Sequence, residues 1–119
     1  MYQEGISNII NEFDESLAGL NKLLKDFLAI PEHNKQQVVK LDNELDIAIS
    51  NLVTIKMKID TLAISFTKDM ANIPEDSFNQ FLKLTAELSA LAEKQILEKM
   101  EYQSRVQEMI LYIQQADLD

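Results

Sequence analysis

The chain contains no cysteine, only two glycines and two prolines, and few basic residues. Without cysteine it can hold no disulfide, no thiolate metal site and no cysteine nucleophile. The scarcity of glycine and proline leaves few places to turn, which favours a small number of long elements. The 11 basic residues face 20 acidic ones, for a formal net charge of −9. Because such a surface repels phosphate, we expect no nucleic-acid partner.

Long uncharged apolar runs are also absent. No stretch reaches the roughly 18 to 20 apolar residues needed to cross a bilayer, so we expect no contact with the membrane. The first residues, Met1–Gly5, lack the basic start and apolar core of a secretory signal. Together with the lack of cysteine, this predicts a cytoplasmic protein. A length of 119 residues predicts a single domain over residues 1–119.

The most regular feature of the sequence is an apolar repeat between residues 38 and 66. Its members step by three and four residues without a miss: Val38, Leu41, Leu45, Ala48, Leu52, Ile55, Ile59, Leu62 and Phe66. A repeat averaging about 3.5 residues is typical of a helix that packs one stripe against other helices with a left-handed coil. We therefore predict that this segment is the central helix of a bundle.

The same segment carries further apolar residues outside that stripe. Val53, Met57 and Ile64 lie roughly opposite it, and Val39 and Ile49 also lie off it. A surface helix of a small bundle normally has one apolar stripe and one solvated face. We therefore predict that Val39, Ile49, Val53, Met57 and Ile64 bind a partner. That partner is either a second copy of the chain or another helical protein, so we expect a homo- or hetero-oligomer.

Two prolines divide the chain into three helices. Proline disfavours a helical residue before it and is well tolerated at the first helical position, which we assign to Pro74. With Pro31 in the other turn, we predict helices over about residues 6–29, 33–71 and 75–115. Ser7 is predicted to cap the first of them. Gly19 in its interior is explained either by a close helix–helix approach or by a local weak point.

The predicted fold is therefore all-α, an elongated up-down-up bundle of three long helices with coiled-coil-like packing. The second and third helices are longer than the first, so we expect them to overhang it. Self-association or a helical partner would complete the bundle by covering the remaining apolar surface.

The third helix has a less regular apolar stripe than the second. Its predicted members are Phe78, Phe81, Leu84, Leu88, Leu91, Ala92, Ile96, Met100, Val106, Ile110 and Ile113. Repeated steps of four up to Met100 make the stripe drift around the helix, and Gln103 then interrupts it. Such a slip is typical of a change of packing partner. On the surface, Glu101 and Arg105 have the spacing of a favourable ion pair.

Residues that could carry chemistry are sparse. His33 is the single histidine, and helical phosphotransfer domains place theirs in mid-helix, with lysine and glycine close behind. Here the context is a helix start without that glycine, which favours a solvated turn residue. The carboxylates that could be drawn as a metal site are Asp42, Glu44, Asp46, Asp60, Glu98 and Glu101. A di-iron bundle would need Glu-x-x-His pairs that do not exist here. A buried Mg²⁺ site with oxygen ligands would have to lie in the apolar stripe, and these acids lie outside it. We therefore expect a solvated acidic face, with no metal and no other cofactor.

These observations predict a non-enzymatic interaction module, acting as a subunit, adaptor or oligomerisation unit of a larger assembly. The alternative is a small acidic export or secretion chaperone that holds an amphipathic helix of its client. Such chaperones are similar to this chain in size, acidity and helicity, although no motif is shared. An enzyme or a phosphotransfer protein that uses His33 or surface acids is the third hypothesis, and we expect no catalytic residues.

Overall fold

The computed structural model describes the backbone of residues 2–29 and 34–118 and the side chains of residues 4–29 and 34–115. Within this part of the chain there is no strand. The secondary structure consists of α1 (Tyr2–Leu28), α2 (Lys35–Lys68), a short 3₁₀ helix (Met70–Asn72) and α3 (Glu75–Leu118). The predicted all-α fold of three long helices is thus confirmed.

The first helix begins earlier than predicted. It starts at Tyr2, so Ser7 lies inside the helix and does not cap it. The segment before Ser7 contains Glu4, whose negative charge is favourable in the first turn of a helix. The predicted turn at Pro31 and the candidate His33 lie outside the described residues.

The second helix is closed at its start by a capping box. The Asn34 side chain accepts a hydrogen bond from the Gln37 backbone N–H at 2.9 Å. In return, the Gln37 side chain accepts one from the Asn34 backbone N–H at 3.0 Å. Two N–H groups that have no partner within the helix are satisfied in this way. The helix therefore begins at Lys35, two residues after the predicted start.

The turn between α2 and α3 places Pro74 just before the first helical residue, one position earlier than predicted. Its carbonyl accepts a hydrogen bond from the Phe78 N–H at 2.8 Å, which is the first bond of the α3 ladder. At this position the missing N–H of proline costs no hydrogen bond. The third helix continues to Leu118, beyond the predicted end at residue 115.

Both outer helices run antiparallel to α2. Lys58, late in α2, forms an ion pair with Glu12, early in α1, with an Nζ–Oε2 distance of 2.9 Å. On the other side, the rings of Phe66 at the end of α2 and Phe81 at the start of α3 stack with centroids 4.9 Å apart. The two outer helices approach α2 much more closely than they approach each other. The result is an elongated molecule with Cα extents of 68 × 21 × 15 Å.

The predicted stripe of α2 forms the centre of the core. Seven of its nine members are buried, and Ala48 and Leu62 are partly buried against them. The buried core residues of the outer helices are Ile6, Ile9, Phe13, Leu20 and Phe27 of α1 and Ala92, Ile96 and Val106 of α3. The periodicity of three and four residues therefore identified the interior of the molecule correctly.

The stripe of α3 differs from its prediction at three positions. Leu91 and Met100 are exposed, whereas Thr85 is buried. The Thr85 hydroxyl donates to the carbonyl of Phe81 at 2.9 Å, so this buried polar group is satisfied within its own helix. The strict steps of four up to Met100 do not describe the buried face, because they advance around the helix faster than the line that contacts α2.

The surroundings of Gly19 bear on the two explanations given for this residue. A Cβ atom built on Gly19 would meet no atom within 4 Å. The explanation by a close helix–helix approach is therefore wrong, and the local weak point stays a prediction.

Among the described residues, no helix carries an apolar segment of the length and low charge that a membrane span requires.

Candidate partner-binding face

Three of the five predicted partner-binding residues are exposed on the central helix. The exposed fractions are 40% for Val53, 64% for Met57 and 57% for Ile64. Val39 is half-buried, whereas Ile49 is buried in the core of the single chain. Ile49 is thus unavailable to a partner in this structure. Binding through the other four residues stays a prediction.

Three exposed residues of α2 and the half-buried Val39 follow one line along the helix, whereas the exposed Ile47 lies off it. At roughly 100° per residue, Val39, Val53, Met57 and Ile64 fall within about 40° of one another. Asp46 falls on the same line, seven residues from both Val39 and Val53. At about 1.5 Å per residue, the line is about 37 Å long. It therefore forms a narrow apolar strip with one carboxylate in its course.

A second line runs along α3 and carries two exposed apolar residues, Met100 and Leu111. The half-buried Ser89 begins this line, because all three residues are spaced by 11 positions, which is three turns plus about 20°. The side chains of Met100 and Leu111 are 51% and 59% exposed. Because Ser89 contacts α2, this line follows the edge of α3 that lies beside the exposed strip of α2.

Asp60 joins the two lines near the end of the α2 line and at the start of the α3 line. Its Oδ1 accepts a hydrogen bond from the Ser89 hydroxyl at 2.8 Å, and its Oδ2 lies 2.9 Å from Lys56 Nζ. The hydrogen bond from Lys56 lowers the pKa of Asp60, with help from Ser89 and against the effect of partial burial. The same hydrogen bond and the negative charge of Asp60 raise the pKa of Lys56. Both groups are therefore held in their charged forms.

Asp42 and Asp46 join the two helices closer to the start of α2. The Gln103 Nε2 donates to Asp42 Oδ1 at 3.2 Å and to Asp46 Oδ1 at 2.9 Å. Gln107 Nε2 donates to Asp42 Oδ1 at 3.3 Å. In the described part of the chain, no lysine or arginine lies within ion-pair distance of either carboxylate. Gln103 thus interrupts the apolar stripe of α3 because it meets this acidic pair.

We call the surface formed by these two lines the outer face. It consists of Val39, Asp42, Asp46, Val53, Met57, Asp60 and Ile64 of α2 with Ser89, Met100, Gln103 and Leu111 of α3. Its large exposed side chains are apolar, and its carboxylates lie along the junction of the two helices. A surface of this form can receive another helix, since its apolar strip has the length and narrow width that a helix offers.

The carboxylates that could be drawn as a metal site do not form one cluster, although Asp42 and Asp46 lie side by side. Among the described residues, no three histidine or acidic side chains are grouped as metal ligands. The predicted ion pair of Glu101 with Arg105 is present, with an Oε1–Nη2 distance of 3.0 Å. Asp42, Asp46 and Asp60 instead bond to side chains of α3 or, for Asp60, also to Lys56. They therefore help to align two helices and are less freely solvated than predicted.

Comparison with protein-family models, curated proteins and solved structures finds no significant match to this chain. The geometry itself defines the class: an all-α, elongated bundle in which a central helix packs against two antiparallel neighbours.

Sequence reasoning missed the contribution of α3 to the outer face. The sequence predicts Met100 in the core, and nothing in it singles out Leu111. The spacing of 11 residues between Ser89, Met100 and Leu111 can be read from the sequence, but nothing there marks Ser89 as a contact of α2. The acidic pair was visible too, although its partner Gln103 lies 61 and 57 residues from Asp42 and Asp46.

Proposed function

We propose that this chain is a non-enzymatic protein–protein interaction module that binds an amphipathic helix along its outer face. The observation that carries the proposal is the exposure of Val53, Met57 and Ile64 on the central helix of the bundle. The apolar residues of a helix in that position are expected to pack against its two neighbouring helices. Three large apolar side chains in one exposed line are instead typical of a surface that a partner covers.

The mechanism is burial of apolar area. At about 25 cal/mol per Å², covering several large side chains supplies a favourable free energy that must exceed the entropy lost on association. Met57 and Met100 suit such a surface, because the flexible thioether side chain adapts to irregular partners. The chain would thus act as a subunit or adaptor of a larger assembly, and we place it in the cytoplasm without a nucleic-acid partner.

The proposal is tested by the double substitution Val53→Lys and Met57→Lys. Both side chains point to solvent, so the variant should keep the helicity and thermal unfolding of the wild type. It should lose self-association in sedimentation experiments and lose the proteins that a wild-type bait retains from an extract. A one-to-one complex that survives dilution would support a chaperone-like form of the same function.

Ile47→Lys is the matched control. Ile47 is 64% exposed, as Met57 is, but lies about 100° around α2 from the line of Val53 and Ile64. The control should bind as the wild type does. If the wild type is monomeric and retains nothing, or if all variants retain the same proteins, the outer face is not a binding surface. Unfolding of the double variant would place Val53 and Met57 in the interior and would also contradict the proposal.

A further inference from the structure

We infer that the helix received by the outer face belongs to a different protein and carries basic side chains beside its apolar stripe. This inference rests on the function proposed above and specifies the partner. Its basis is the electrostatic character of the outer face, which combines an apolar strip with two carboxylates, Asp42 and Asp46, that have no lysine or arginine of the described residues within ion-pair distance.

The first observation is the position of Asp46. It lies on the line of Val39 and Val53, so a helix docked along that line passes directly over it. Among the described residues, the side chain that donates to this carboxylate is the neutral amide of Gln103, at 2.9 Å. An apolar residue placed over Asp46 would remove water from a charge without replacing it, which is unfavourable. A lysine or arginine at that position would instead form an ion pair.

The second observation is that Asp42 enlarges the same charge. Gln103 and Gln107 hold its carboxylate at the junction of α2 and α3, beside Asp46. The two amides fix the positions of both carboxylates but are neutral, and no cationic side chain in the described ranges forms an ion pair with either. A preorganised pair of charges of one sign selects a partner of the opposite sign and accelerates its association.

The third observation argues against a second copy as the occupant. In a two-fold dimer the same surface lies on both sides of the interface. A second copy would therefore bring another outer face with its own Asp42, Asp46 and Asp60. It would also bring a further formal charge of −9. Electrostatic complementarity is better with a basic helix from another protein.

The test is a selection from a displayed library of helical peptides. Each peptide has four heptads, and its length of about 42 Å matches the strip of α2. Leucine occupies the stripe positions, and the flanking positions are lysine, glutamine or glutamate with equal frequency. Four baits are used at physiological salt: the wild type, Asp42→Asn with Asp46→Asn, Val53→Lys with Met57→Lys, and a charge control. The charge control, Asp14→Asn with Glu15→Gln, removes two exposed acids from α1.

The wild type and the charge control should enrich lysine over glutamate at the flanking positions by roughly tenfold. This is the ratio expected for a difference of about 1.4 kcal/mol in binding free energy. The variant lacking the charges of Asp42 and Asp46 should still select peptides with leucine stripes, but with little preference for lysine. Its asparagines can still accept the amide hydrogen bonds, so the fold is retained. The variant with lysine at 53 and 57 should enrich no peptide.

Two results would overturn the inference while leaving the proposed function intact. One is selection of peptides with leucine stripes but without a lysine preference that depends on the charges of Asp42 and Asp46. The other is a wild-type dimer that the substitutions at Val53 and Met57 dissociate, with no peptide enriched. Equal enrichment by the wild type and the Val53→Lys, Met57→Lys variant would contradict the proposed function itself.

Discussion

At the scale of single residues, Gly19 and Thr85 illustrate different ways in which a helix accommodates an unusual residue. Gly19 is exposed, and no neighbouring atom occupies the space of a missing side chain. It therefore weakens α1 without allowing a closer contact. Thr85 is buried, but its hydroxyl returns a hydrogen bond to its own helix and leaves no polar group unsatisfied.

Replacement of Gly19 by alanine should stabilise the protein. The residue is helical and has no positive φ, so alanine fits its backbone without strain. We expect the free energy of unfolding to rise by about 0.5–1 kcal/mol, since alanine loses less conformational entropy in a helix. Urea unfolding followed by circular dichroism measures the change. The neighbouring exposed Ala18, replaced by glycine, should lower stability by a similar amount. No gain from Gly19→Ala would mean that α1 is frayed at this point.

At the scale of helices, polar side chains set how α2 and α3 align. Asp60 with Ser89 and Asp46 with Gln103 are two interhelical hydrogen bonds about four turns of α2 apart. Apolar side chains alone tolerate sliding along a helix pair more readily than directional bonds do. These two bonds therefore favour one register of the antiparallel pair.

The bond network of Asp60 predicts a pH dependence of stability. The pKa of Asp60 is lowered in the folded state, so its stabilising contribution is complete above about pH 4, the ordinary value for aspartate. The contribution is lost as the pH falls through the lowered pKa. The difference in unfolding free energy between the wild type and Asp60→Asn should be constant near neutral pH. It should shrink as the pH is lowered from about 4 towards the folded-state pKa.

Urea unfolding at a series of pH values measures this difference. Ser89→Ala removes one of the two donors to Asp60 and should weaken the pH dependence only in part. Parallel stability curves for the wild type and Asp60→Asn throughout the acidic range would show that Asp60 contributes nothing through its charge.

The raised pKa of Lys56 predicts the converse at alkaline pH. The contribution of Lys56 to stability should be lost as the pH rises through its folded-state pKa.

At the scale of the whole molecule, stability depends on α2. The buried residues of all three helices form one cluster, and α2, which both outer helices approach most closely, contributes more of them than α1 or α3. Disruption of the α2 stripe should therefore affect both interfaces together, and the molecule should unfold in one cooperative transition.

Leu52→Ala tests this dependence. Leu52 is fully buried in the middle of the α2 stripe, so its truncation should cost about 2–5 kcal/mol. Leu97→Ala is the matched control, because Leu97 is 59% exposed and its truncation should change stability by no more than about 0.5 kcal/mol. Circular dichroism and tyrosine fluorescence should give coincident unfolding curves for both variants. Separate transitions would mean that α1 unfolds independently of the α2–α3 pair.

The sequence by itself determined the number of helices, their approximate ends and the buried stripe of α2. These features depend on local rules: proline at the turn between α2 and α3, and apolar residues repeated at the period of a helix. The unbroken steps from Val38 to Phe66 made the core face of α2 readable without any knowledge of its neighbours.

Only the tertiary structure decided which off-stripe residues face solvent. Periodicity gives an angle around one helix axis, but the positions of the neighbouring helices determine which angles are covered. Ile49 is therefore in the core, while Ile47, two residues away, is exposed. The outer face depends in the same way on contacts between residues far apart in the chain, such as Asp60 with Ser89 and Asp42 with Gln103. No local rule connects such residues, because their proximity follows from how whole helices pack.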